Sequence, residues 1–181
     1  MNKKITLLRI AEIGHPVIRK VCEPVKNPLS FDIQRLIDNM IATCKEQGGI
    51  GIAASQVYRL VRVIIIASAP GPVYPNAPVM RPFAAINPKL KRASPKSVRG
   101  WEGCMSIPGI RAQVARSAWI DVEYLDRKGK FVERRLAGLP ARIFLHELDH
   151  LDGISFLDRA DLKTLSTHSE YMKMLGRIKK K

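Results

Sequence analysis

The most concentrated chemistry in the chain lies in His146-Glu147-Leu148-Asp149-His150. On a helix, side chains four apart share a face, so His146 and His150 can grip one metal ion. Glu147 projects beside them, where it can take a proton from a metal-activated water. A helix with two hydrogen-bonded histidines and no metal would carry the same five residues, so the surroundings decide. A catalytic zinc-like ion takes three protein ligands and leaves one position for water. One common pattern puts a third histidine six residues after His150, but that position is Phe156. Another uses a downstream glutamate, and Glu170 is the only one. The cysteines remain. Cys104 sits in Gly100-Trp101-Glu102-Gly103-Cys104-Met105-Ser106-Ile107-Pro108-Gly109, where Gly103 and Pro108 force a tight, shaped segment. A thiol held there near cationic groups or a metal ionises readily, which makes Cys104 the best third ligand.

The elements that must position these residues follow from pattern. Pro140 suits the first turn of a helix that carries the histidines. Ile143, Phe144, Leu148 and Leu151 give it apolar faces, and Gly153 stops it. A second helix begins at Ser30, with Ile33, Leu36, Ile37, Met40, Ile41 and Cys44 at core spacing, and ends at Gly48-Gly49. In Gly49-Ile50-Gly51-Ile52-Ala53-Ala54-Ser55-Gln56, small residues let another chain or a ligand approach the backbone. The Gln56 carboxamide needs partners there, although a plain glycine turn into a strand explains the segment equally well.

Val61 to Ala67 and Ala84 to Leu90 are predicted strands, separated by a proline-rich surface loop over 69–82. Trp119 to Leu125 and Lys130 to Leu136 form a hairpin turned at Asp126-Arg127-Lys128-Gly129. A last helix is expected from about Asp161, with His168 exposed on it. Residues 1–28 are irregular, and His15 has a structural or exposed role. The expected fold is α+β, one domain over 1–181. Mixed or antiparallel sheets pack around the metal-binding helix, and a further helix lies at the C-terminus.

The length of 181 residues suits one domain with a real core. No apolar run reaches membrane-spanning length, and the basic N-terminus lacks a cleavage pattern, so a cytoplasmic protein without membrane contact is expected. Three widely spaced cysteines do not make a disulfide framework. The net charge is +15, which suggests an anionic partner or simply a soluble basic surface. Lys89, Lys91, Arg92, Lys96 and Arg99 form one cluster, and Lys173, Arg177 and Lys179–Lys181 another.

Three segments, in this order, resemble the motifs of peptide deformylases: Gly49 to Gln56 as G-x-G-x-A-A-x-Q, Glu102 to Ser106 as E-G-C-x-S, and His146 to His150 as H-E-x-D-H. The resemblance covers nearly the whole chain. It implies metal ligation by Cys104, His146 and His150, with Glu147 as the proton carrier. Gln56 and the Met105 backbone N–H would meet the oxyanion. Gly51, Ile52 and Arg111 would hold the peptide, and Ile50, Glu102 and Ile143 would surround the methionine side chain. It also implies one divalent metal, Fe2+ ahead of Zn2+, Ni2+ or Co2+, and hydrolysis of the formyl group from N-formylmethionyl nascent peptides, with the ribosome as a partner for the basic surface. The alternatives are a diverged metallopeptidase, which gains nothing from Cys104 or Gln56, and a basic ribosome-binding protein, which gains nothing from the ligand set. Two positions depart from the family pattern. Leu145 stands where Gln is common and removes a polar group beside the histidines, and Met105 stands where Leu is usual.

Overall fold

A computed structural model describes residues 5–176. Helix α1, Phe31–Glu46, starts at Ser30, whose hydroxyl accepts from Ile33 N–H, and buries Ile33, Leu36, Ile37, Met40 and Cys44. Strands β1 (Gly51–Ala53), β2 (Val63–Ser68), β3 (Met80–Ala93), β6 (Trp119–Leu125) and β7 (Phe131–Ala137) form an antiparallel sheet in the order β1-β2-β3-β6-β7. Helix α2, Leu139–Leu151, lies on one face of this sheet and α1 on the other. Strand side chains alternate between faces, so Ile64 and Ile66 meet α2 while Val63 and Ile65 meet α1. That division explains why β2 is an unbroken apolar run.

A second antiparallel sheet, β4-β5-β8, is built from Ser97–Cys104, Ile107–Ser117 and Ala160–Thr167. Its α2 side carries Glu102, Ala112, Val114 and Arg116, all buried. Helix α3, His168–Met174, closes over the other side, where Tyr171 packs on Trp101 at 5.0 Å between ring centroids.

Three expectations are corrected. The helix expected from about Asp161 is strand β8 up to Thr167, and the helix starts only at His168. Leu162 and Leu165 point to solvent, and backbone pairing with β5 outweighs the helical pattern of the stretch. The loop expected over 69–82 ends at Val79, because Met80–Pro82 already belong to β3. The segment expected as a shaped turn at 100–109 is the tip of a long β4-β5 hairpin.

The chain before α1 works as a strap. Ala11 N–H donates to the Gln56 carbonyl (2.7 Å) and Ile13 N–H to that of Ser106 (2.7 Å), while Cys22 N–H donates to Leu151 O at the end of α2 (2.8 Å). His15 caps the 3-10 turn Pro16–Arg19 through Nδ1, a structural role. Val21 bridges to Asp152, and the Arg19 carbonyl lies so close to Gly153 that a Cβ there would come within 2.5 Å.

Candidate metal centre

Pro140 sits in the first turn of α2, and Gly153, at φ +72°, follows its last turn. The helix between them is buried nearly all round, which fixes His146, Glu147 and His150 against the β4-β5 hairpin. Cys104 ends β4 at the hairpin tip. Ligand atoms of Cys104, His146 and His150 all lie within 4.8 Å of one another, and Cys104 Sγ is 3.2 Å from His150 Nε2. His146 Nδ1 is held by Glu102 Oε2 at 2.9 Å, which leaves Nε2 for the site. Phe156, where a third histidine was sought, is a buried ring stacked on His146 at 6.1 Å.

The electrostatics suit a cation. Burial pushes the Cys104 thiol up, but the imidazoles of His150 and His146 outweigh it and hold the thiol well below its usual value. Burial pushes His146 down, and the neighbouring Cys104 and Glu102 anions hold it well above the usual imidazole value. A divalent cation bound by these three donors would balance the charge of the thiolate. Among the described residues, His150 Nδ1 and Glu147 Oε2 are buried side-chain atoms with no hydrogen-bond partner. For Glu147, burial raises the carboxyl to about 7, against the lowering effect of His146 and His150, so it is poised to exchange a proton near neutrality. The donor set therefore fits a thiolate-imidazole metal site with a carboxyl ready beside it.

Around the ligands lies a charge network of which sequence reasoning found only Glu102. Arg116, on β5, grips Glu102 with two hydrogen bonds (3.0 and 2.9 Å) and reaches Asp149 with a third (2.5 Å). Arg159 adds two more to Asp149, both 2.7 Å. Arg142 donates to Glu102 Oε1 at 2.8 Å. Glu102 is thus held well below the usual carboxylate range: burial opposes ionisation, but His146 and Arg116 outweigh it. The D of H-E-x-D-H was the available signal for Asp149. Nothing in the local sequence marked Arg116, Arg142 or Arg159, because their partners are distant in the chain.

The remaining candidates fall into two groups. Ile50, Glu102, Met105, Arg111, Ile143 and Glu147 line a cleft of about 880 Å³, counting its open mouth. Gly51, Ile52 and Gln56 stand behind its wall. β1 runs so close to α2 that a Cβ on Gly51 would fall 2.6 Å from Glu147 Oε1. Gln56 Oε1 accepts from Ala53 N–H (2.8 Å), and its Nε2 points at Cys104 Sγ (3.3 Å) and Ser106 Oγ (3.1 Å). Arg111 Nε donates to His168 Nδ1 (3.0 Å) at the cleft mouth, and the guanidinium covers the Tyr171 ring. Leu145 packs into the apolar cluster under α2 and does not line the cleft.

A family model described as polypeptide deformylase matches residues 7–165. The chain belongs to the peptide deformylase family. It is 47% identical to peptide deformylase 2 of Nostoc sp., over 93% of this chain and 95% of that one. It is similar to the crystal structure of the class I type b peptide deformylase from Acinetobacter baumannii with Met-Ala-Ser bound. That match has 42% identity and a TM-score of 0.84, covering 86% of this chain and 99% of that one. The deformylase from Thermotoga maritima is also similar, with 35% identity and a TM-score of 0.77 over 86% of this chain and 99% of that one. As a peptide deformylase, the chain is a metallohydrolase that removes the N-formyl group from nascent peptides. Among the described residues no helix is long and apolar enough to cross a membrane.

Proposed function

We propose that the chain deformylates N-formylmethionyl peptides with Fe2+ held by Cys104, His146 and His150, and that residues 1–181 form one catalytic domain. The observation that carries this reading is the convergence of those three donors beside Glu147, whose buried Oε2 has no hydrogen-bond partner, along the cleft. When bound, the metal supplies Lewis acidity that makes water nucleophilic near neutral pH. Glu147 takes the proton of the attacking water and passes it to the leaving amine. The Gln56 amide, fixed through its own oxygen, and the Met105 backbone N–H meet the charge that develops on the formyl oxygen. Glu102 sets the His146 ring.

The Gly51 and Ile52 backbone and Arg111 hold the peptide, while Ile50, Glu102 and Ile143 surround the methionine side chain. Zn2+, Ni2+ and Co2+ suit the same donors, so reconstitution of the stripped protein with each metal in turn tests the choice of iron. The site of action is the cytoplasm, at the ribosome, whose RNA is anionic and complements the +15 charge. The deciding experiment is formate release from formyl-Met-Ala-Ser by protein purified without oxygen, alongside Cys104→Ala. Release that vanishes in the variant supports the reading. No release from metal-loaded unmodified protein refutes it.

A further inference from the structure

One face of α2 turns Leu139, Arg142, Ile143 and His146 into the cleft. An arginine in a pocket meant for an apolar side chain needs a reason. Its head is tied away from the pocket: Nη1 donates to Glu102 Oε1 (2.8 Å), Val114 O (2.9 Å) and Gly100 O (3.4 Å), and Nη2 donates to Val98 O (2.6 Å). Gly100 leaves room for it, since a Cβ there would come within 2.9 Å of the guanidinium carbon. With the head satisfied, the aliphatic stem is left to face the cleft.

On the far side of the same residue lies a second cavity, bounded by Val98, Gly100, Trp101 and Ala118, to which Leu139 and Arg142 also contribute. Arg142, Leu139 and Tyr74, which line both, therefore stand as a partition between two hollows. Arg142 shares Glu102 Oε1 with Arg116, which also binds Oε2, the oxygen that holds His146.

We infer that Arg142 is a specificity-determining residue. It is the end wall of the side-chain pocket and limits the length of the formylated residue. This rests on the deformylase reading above. In it the stem bounds an apolar pocket, the tied guanidinium keeps charge out of that pocket, and the space behind stays closed to substrate. Removing the stem joins the two hollows.

The test compares kcat/KM for formyl-Met-Ala-Ser with that for formyl-ethionyl-Ala-Ser, which is one methylene longer. Arg142→Ala raises the ethionyl-to-methionyl ratio about tenfold, the scale of one methylene in an apolar pocket. Arg142→Lys keeps the stem and leaves the ratio within about twofold of the unmodified enzyme. Gly100→Ala takes the space of the guanidinium, moves the wall and changes the ratio by at least about threefold. The inference is overturned if Arg142→Ala and Gly100→Ala slow both substrates equally. Should Arg142→Ala fail to fold, an unchanged ratio in Gly100→Ala overturns it alone. Failure of the deformylase reading shows separately, as no formate from the unmodified enzyme.

Discussion

Gly51→Ala tests how tightly β1 is built against the proton carrier. The added Cβ would fall 2.6 Å from Glu147 Oε1 and 2.7 Å from Ile143 Cγ2, where ordinary contact begins at 3.4 Å. The shortfalls are 0.8 and 0.7 Å. Neither neighbour can swing away: Glu147 is 4% and Ile143 3% exposed, and Ile52 and Ala53, next to Gly51 in β1 itself, are fully buried. Strand and helix must part by most of that distance. Overpacking of this kind costs about 1–3 kcal/mol. For a chain of this length that lowers the melting temperature by roughly 2–12 °C. Displacing the carboxylate by close to 1 Å costs about a hundredfold in kcat. Metal content should hold, because Cys104 comes from the other sheet and Glu102 still orients His146. Formate release at saturating substrate, thermal melting and metal analysis read the three quantities. A kcat within twofold of the unmodified enzyme, with an unchanged melt, would refute the steric argument.

Other perturbations separate the parts of the site. Glu147→Gln should keep its metal and lose turnover by at least about a hundredfold, the scale of a general base; substantial residual formate release would count against its role. Arg116→Met leaves Glu102 and Asp149 without a shared buried partner and should cost about 3 kcal/mol in urea unfolding. Asp121 is held below the usual carboxylate range, chiefly by the Arg135 hydrogen bonds, with burial opposing. Its contribution to stability is therefore present above about pH 4 and lost as pH falls through its folded value. Asp121→Asn should lower the melting temperature at pH 7 and reduce its fall in acid; equal acid sensitivity in both proteins would remove Asp121 as the cause. Deleting Lys179–Lys181, which lie outside the described residues, should weaken co-sedimentation with ribosomes at low salt, and unchanged binding would exclude the tail as a contact.

Much of the site was legible because its spacing is local. Two histidines four apart specify one helical face, and Gly, Pro and the apolar stripe fixed both ends of α2. Likewise Ser30 and the stripe from Ile33 to Cys44 specified α1, and Asp126 to Gly129 specified the β6-β7 turn. The β4-β5 hairpin escaped because its inner face carries Glu102 and Arg116, which break the apolar alternation of a half-buried strand. They are buried only because they pair with each other and with α2. β8 escaped because its leucines face outward. The first basic cluster looked unpaired along the chain. In the fold Lys89 and Lys91 meet Glu123, Arg92 meets Asp121 and Arg99 meets Asp161. Charge counted in sequence therefore overstates the free charge on that face.

The strap before α1 bears on how this protein is itself made. Residues 11 and 13 reach the carbonyls of Gln56 and Ser106, while Arg19, Val21 and Cys22 close on Leu151 to Gly153. The strap thus waits for partners further along the chain, the last of them, at the end of α2, about 130 residues away. Contacts so distant in the chain form late and pay their closure entropy at the end. The five-stranded sheet can assemble during synthesis, but the cleft cannot close until α2 has emerged. An enzyme that acts on unfinished chains thus carries a strap of its own that can dock only when its synthesis is nearly done.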